Sequence, residues 1–101
     1  MKLVFDDLAL VDLEGIYNWI AKDNPTAAKA VVERLFESVE HLAAFPRMGH
    51  AGRDQATQEW VVPRLPYIVI YEIHPERDEV IVVAVVHGAQ ERDGEGQTAS
   101  S

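Results

Sequence analysis

The run Val80-Ile81-Val82-Val83-Ala84-Val85-Val86 constrains this chain more than any other segment. It is apolar without alternation, the pattern of a strand with neighbours on both edges and cover on both faces. Periodicity alone does not separate such a run from a buried helix segment, but its β-branched content decides for a strand. With 101 residues the chain has the size of one domain, so everything else must be arranged around this strand in a single core.

Two helices are written ahead of it. Lys2-Leu3-Val4-Phe5 reads as a short strand closed by Asp6 and Asp7, either of which can cap a helix by accepting N–H groups of its first turn. Leu10, Leu13, Tyr17 and Ile20 then fall on one helical face up to about Lys22, with Asp12, Glu14 and Lys22 off that stripe. Asn24-Pro25 restarts the chain as a helix, because asparagine caps well and proline is preorganised for the first helical position. Ala28, Val31, Leu35, Val39 and Leu42 repeat every three or four residues until Phe45-Pro46 stops the helix, which predicts helix over residues 25–44.

Residues 46–57 lack periodicity and contain Gly49 and Gly52, so they predict a loop. Glu59-Trp60-Val61-Val62 and Tyr67-Ile68-Val69-Ile70-Tyr71-Glu72-Ile73 read as strands, separated by Pro63-Arg64-Leu65-Pro66 and followed by a turn at residues 74–78. The sum is an α+β fold of order β-α-α-β-β-β, a helical hairpin packed on a small, mainly antiparallel sheet. It occupies residues 1–90 as one domain, with the polar tail 91–101 expected to be disordered.

Charge and composition exclude several functions. The net charge of −8 argues against general affinity for nucleic acid, which rests on clustered Lys and Arg. Residues 1–44 carry 4 basic and 8 acidic side chains, residues 45–66 carry 3 and 2, and residues 67–101 carry 2 and 7, so only the middle is not acidic. No segment is long and apolar enough to span a bilayer, and Asp6-Asp7 interrupts the opening residues before a signal-peptide core could develop, so a cytoplasmic location is expected. There are no cysteines, which removes disulfides, thiolate zinc sites and a Cys nucleophile. His41, His50, His74 and His87 stand too far apart in sequence for a metal motif, so neither a metal nor a cofactor is expected.

Two constellations remain. Cleavage of RNA needs a base for the 2′-hydroxyl proton, an acid for the leaving oxygen and cations to hold the phosphate. Glu59 could be the base, His87 the acid, and Arg53 and Arg64 the phosphate-holding cations; the favoured alternative for each is structural, with Glu59 and Arg64 solvated strand-end residues, Arg53 a loop charge and His87 a hydrogen-bonded residue closing the sheet. The other constellation is a binding face lined by Trp60, Tyr67 and Tyr71 beside an exposed strand edge, whose alternative is that these rings fill the core.

The ordered fragments Phe5-Asp6-Asp7-Leu8-Ala9-Leu10-Val11-Asp12-Leu13 with Ile16 and Tyr17, Asp23-Asn24-Pro25-Thr26-Ala27-Ala28, and Leu42…Phe45-Pro46-Arg47-Met48-Gly49 resemble the ParE/RelE toxin superfamily. The resemblance continues through Gly52-Arg53, Thr57-Gln58-Glu59-Trp60-Val61-Val62, Pro66-Tyr67-Ile68-Val69-Ile70-Tyr71 and Val86-His87-Gly88-Ala89-Gln90, covering roughly residues 2–90. It implies the toxin of a type II toxin–antitoxin pair, of the kind associated with plasmid stabilisation. Such a toxin is neutralised by a cognate antitoxin that wraps it, in complexes that can be of higher order. It also implies one of two targets, DNA gyrase blocked by binding or the ribosome, where an endoribonuclease member cuts mRNA.

This chain departs from the mRNA-cutting pattern. Its middle strand carries no cation, and Gln58 stands where many relatives have arginine. Gyrase inhibition by a non-enzymatic toxin is therefore the favoured expectation, mRNA cleavage the alternative, and a non-toxic module that only binds antitoxin the third. The acidic surface predicts an antitoxin that buries an apolar segment on the toxin and contributes basic residues.

Overall fold

The computed structural model describes residues 1–54 and 56–88. The chain begins with strand β1 (Lys2–Phe5), followed by helices α1 (Asp7–Ala21) and α2 (Pro25–Ala44). Then come strands β2 (His50–Ala51), β3 (Gln58–Val61), β4 (Tyr67–His74) and β5 (Glu79–His87). The five strands form one sheet of order β1-β5-β4-β3-β2. All neighbours are antiparallel except β1 and β5, which run parallel. The architecture is the expected α+β fold with one strand more. The segment read as a loop contains a short 3-10 turn at Pro46–Met48 and then β2, whose two residues extend the sheet edge through His50↔Glu59 and Ala51↔Gln58. A two-residue strand leaves no periodicity to detect. The tail 91–101 lies outside the described residues.

Both helix starts follow their sequence signals. Asp6 Oδ1 accepts the Asp7 N–H at 2.8 Å, and Asn24 Oδ1 accepts the Ala27 N–H at 3.0 Å with Pro25 in the first turn. Helix α2 buries Ala28, Leu35, Val39 and Leu42, as its stripe predicts. The stripe expected on α1 is out of phase. Ala9 and Leu13 are the buried residues and Ile16 packs against the core, whereas Leu10 is 47% and Tyr17 40% exposed. Apolar residues occur all around α1, so several phases fit the sequence, and a polar contact chooses among them. Asp12 turns inward, and its Oδ2 accepts the Val85 N–H at 2.9 Å.

That contact answers a need of β5. The pairing of β1 with β5 ends at Phe5↔Val82, but β5 continues to His87. Between Ile70↔Ala84 and Tyr71↔Val82 the β4–β5 ladder also skips Val83, a bulge that disturbs the local hydrogen bonding. The Asp12 carboxylate supplies an acceptor where β5 has outrun its parallel neighbour.

Strand β5 is central, as its composition predicts, yet helices cover one face of it alone. Val80, Val82 and Val85 join Val69, Tyr67 and Tyr71 of β4 under the helices, together with Leu35, Val39 and Leu42. The alternating residues Ile81, Ala84 and Val86 lie on the other face with Ile68 and Ile70 and are half-buried. An unbroken apolar run thus marks a strand buried on one side and left available on the other.

Candidate functional site

Strand alternation and register place every residue of interest on one of the two faces of the sheet. Tyr67, Val69 and Tyr71 point toward the helices, so their partners His87, Val85 and Val82 do as well. Ile68 and Ile70 point the other way, and with them Val61 and Glu59 of β3. Glu59 and His87 therefore stand on opposite faces, so the base and acid expected from sequence do not share a site. The His87 ring meets Tyr67 edge-on at 5.5 Å between centroids. The Glu59 side chain is only 12% exposed and lies 3.9 Å from His50 Nε2. Gly52 packs beside it: a Cβ there would collide with Thr57 Oγ1 and come within 3.3 Å of Glu59 Oε2.

Arg64 is exposed in the turn between β3 and β4, which is closed by Val62 N–H to Tyr67 O at 3.0 Å and Leu65 N–H to Val62 O at 3.2 Å. Its φ of 67° places a side-chain-bearing residue in the left-handed region, a cost the turn must impose. Arg53 is exposed in the loop after β2. Strands β3, β4 and β5 carry no Lys or Arg. Their open face is apolar at Val61, Ile68, Ile70, Ile81, Ala84 and Val86, with carboxylates at Glu59 and Glu72 and the His74 imidazole 2.8 Å from Glu72 Oε1. Such a surface can seat an apolar segment bearing basic residues.

Two of the three aromatic residues expected to line a binding face belong to the core instead. Tyr71 is fully buried and Tyr67 is 7% exposed, so neither ring is presented to a partner. The Tyr71 hydroxyl donates to Pro46 O at 2.7 Å and accepts from the Gly49 N–H at 3.1 Å, tying the end of α2 to the middle of the sheet. Burial raises the pKa of this phenol, and the Gly49 N–H partly offsets the rise. A Cβ on Gly49 would overlap the same hydroxyl and come within 2.6 Å of Glu59 O, so the clamp requires glycine. The Pro46-Arg47-Met48-Gly49 fragment and Tyr71, distant in sequence, are two halves of one structural contact.

Trp60 is half-buried, on the helix-facing side of β3. With Pro63 it forms one wall of an open groove of about 340 Å³ whose other wall is Arg34, Glu37, Ser38 and His41 of α2. These helix positions were missed as site residues. Their signal is a polar i, i+3, i+4, i+7 face, which is indistinguishable in sequence from ordinary solvated helix surface. Among the described residues no group of three or more His, Cys, Asp or Glu side chains could hold a metal ion, and no helix is long and apolar enough to cross a membrane.

Known proteins are similar to this chain in sequence and in fold. Residues 3–92 match the family described as "ParE toxin of type II toxin-antitoxin system, parDE". A curated relative, "Putative toxin Y4kP" of Sinorhizobium fredii, is 41% identical over 83 residues, which is 82% of this chain and 83% of the relative. The chromosomal ParDE toxin–antitoxin system from P. aeruginosa contains a chain of the same fold, with a TM-score of 0.75 at 20% identity over 86% of this chain and 95% of that one. In the intact E. coli RelBE toxin–antitoxin complex the corresponding values are 0.62, 18%, 85% and 94%. By its family match and its identity to a curated relative, this chain belongs to the ParE toxin family of type II toxin–antitoxin systems.

Proposed function

We propose that this toxin acts by binding a protein target, DNA gyrase, and not by cutting mRNA. One observation carries the reading: Glu59 and His87, the base and acid that cleavage would draw on, stand on opposite faces of the sheet, and β3, β4 and β5 carry no Lys or Arg. Cations that neutralise a developing phosphorane supply a large part of phosphoryl-transfer catalysis, and a carboxylate-rimmed apolar face repels the substrate. An inhibitor that acts by surface complementarity needs neither group.

Both the target and the cognate antitoxin would be met in the cytoplasm. The open sheet face, with Val61 54% exposed at its rim, supports an antitoxin that lays an apolar segment across it and brings basic residues to Glu59 and Glu72. Arg53 and Trp60 remain on the surface as contact residues for antitoxin or target.

Purified toxin added to gyrase is expected to block supercoiling and to stabilise cleaved DNA complexes. Normal supercoiling in excess toxin removes the reading. Ribosome-dependent mRNA cleavage that is lost in both His87→Ala and Arg64→Ala would replace it with the endonuclease mechanism. Unimpaired growth on induction without antitoxin would leave only the antitoxin-binding role.

A further inference from the structure

Helix α1 carries a second apolar stripe that the fold does not use. Leu8, Val11, Gly15 and Trp19 succeed one another at steps of three and four residues, so they form one line along the helix. That line points well away from Ala9, Leu13 and Ile16, which enter or pack against the core. Leu8 is 68%, Val11 63% and Trp19 70% exposed. Single exposed apolar residues are normal on protein surfaces, but three of this size on one line form a continuous patch of the kind that marks interaction sites.

Gly15 at the centre has no role in the chain's own packing, since a Cβ there would meet nothing within 4 Å. Mid-helix glycine is unfavourable, and here it leaves a flat place between the ridges of Val11 and Trp19. Such a gap allows a second helix to approach closely. The ends of the line differ in charge, with Asp6 and Asp7 at the start and Lys22 at the end, its Nζ 5.3 Å from the Trp19 ring centroid. Counted from Gly15, Val11 and Trp19 lie four residues to either side, while Leu8 and Lys22 lie seven to either side.

This near-palindrome is what an isologous contact requires, because a two-fold axis presents one patch to itself. We infer that α1 packs on α1 of a second copy of this chain, antiparallel and crossing at Gly15. Trp19 of each copy then covers Leu8 and Val11 of the other, and Lys22 of each faces Asp7 of the other. An antiparallel pair matches opposite charges at both ends, whereas a parallel pair sets like charges together. The three exposed side chains offer roughly 400 Å² per chain, about half of a standard interface, so the dimer is weak and concentration-dependent. The net charge of −8 on each copy weakens it further.

Sedimentation equilibrium of the 101-residue toxin chain from micromolar to millimolar concentration tests this. A reversible monomer–dimer equilibrium is expected, with the dissociation constant raised about tenfold or more by Trp19→Ser and by Gly15→Leu. Gly15→Leu fills only open space in the monomer and so separates loss of contact from loss of fold, which circular dichroism checks independently. Lys22→Asp weakens the dimer, and adding Asp7→Lys to it restores association. A strictly monomeric chain at millimolar concentration overturns the inference, as does self-association indifferent to Trp19→Ser and Gly15→Leu. Substitutions that abolish antitoxin capture without touching self-association assign the stripe to the antitoxin and likewise overturn it.

Discussion

On the helix-covered side of the sheet, Val69, Tyr71, Val80 and Val82 are wholly excluded from solvent. On the opposite side the residues alternating with them, Ile68, Ile70, Ile81 and Ala84, keep part of their surface in water. The two sets come from the same strands and have nearly the same hydrophobicity. The difference lies in what α1 and α2 cover, which suggests that one face has been filled for stability and the other kept for a partner.

The sharpest way to break this comparison is to remove equal apolar volume from each side. Leu35→Ala, at a fully buried α2 position in the helix-covered core, is expected to cost about 3 kcal/mol through lost burial and the cavity left behind. Ile70→Ala on the open face should cost about 1 kcal/mol, because its side chain already meets water and leaves no closed cavity. Urea denaturation of both variants provides the measurement. Equal losses would mean that the open face is structural and needs no partner. Antitoxin affinity should show the reverse order, falling for Ile70→Ala and staying near wild type for any Leu35→Ala protein that remains folded.

Much of this division was legible in sequence. The stripe Ala28, Leu35, Val39 and Leu42 gave the phase of α2, because polar residues on its outer side leave one apolar face to choose from. On α1 apolar residues surround the helix, and the deciding contact, Asp12 to Val85, spans most of the chain. Local periodicity has no access to such a contact. The α+β class and the central place of β5 followed from composition and strand chemistry, but the number of covered faces did not, since a run such as Val80–Val86 looks the same whether its second face meets protein or solvent. The site residues were the least legible. Whether Glu59 and His87 share a face depends on the registers of β3 with β4 and of β4 with β5, which pairing fixes and spacing along the chain does not.

Two polar contacts link the faces to their supports and should matter less than the apolar core. Asp12→Ala leaves the Val85 N–H without its acceptor in a half-buried place, an expected loss of about 2 kcal/mol, and Asp12→Asn should recover part of it. A loss confined to Asp12→Ala and absent from Asp12→Asn would show that hydrogen bonding, more than charge, holds α1 in phase. Tyr71→Phe keeps the ring in the core and removes only the hydroxyl from Pro46 O and the Gly49 N–H, for about 1 kcal/mol. Hydrogen exchange at Gly49 should accelerate in this variant; unchanged protection there would mean that the clamp does not hold the segment.

The smallest expected effect sits at the far end of β4, where His74 is held by two carboxylates. Nε2 lies 2.8 Å from Glu72 Oε1 and Nδ1 lies 3.2 Å from Glu76 Oε1. The hydrogen bond with Glu72 and then that with Glu76 favour the imidazolium, raising the His74 pKa above its usual 6.5, while partial desolvation and the Arg77 charge act against them. A raised folded-state pKa contributes stability that is complete below about 6.5 and disappears as pH rises through the folded value. Glu76 behaves in the opposite sense. Its pKa is lowered from 4.5, first by its own backbone N–H and then by His74, so its share is present above about 4.5 and lost as pH falls through the lowered value. The cluster therefore supports the fold best between those two pH values. Arg77 keeps the high-pH loss small, since its Nη2 lies 3.0 Å from Nδ1 and can donate to the ring once that nitrogen is deprotonated. The urea midpoint should decline slightly as pH rises from about 6 to 8, and His74→Gln should flatten that slope without changing the open sheet face. An unchanged slope in His74→Gln, or an NMR titration of His74 with its midpoint below 6.5, would remove the cluster as its source.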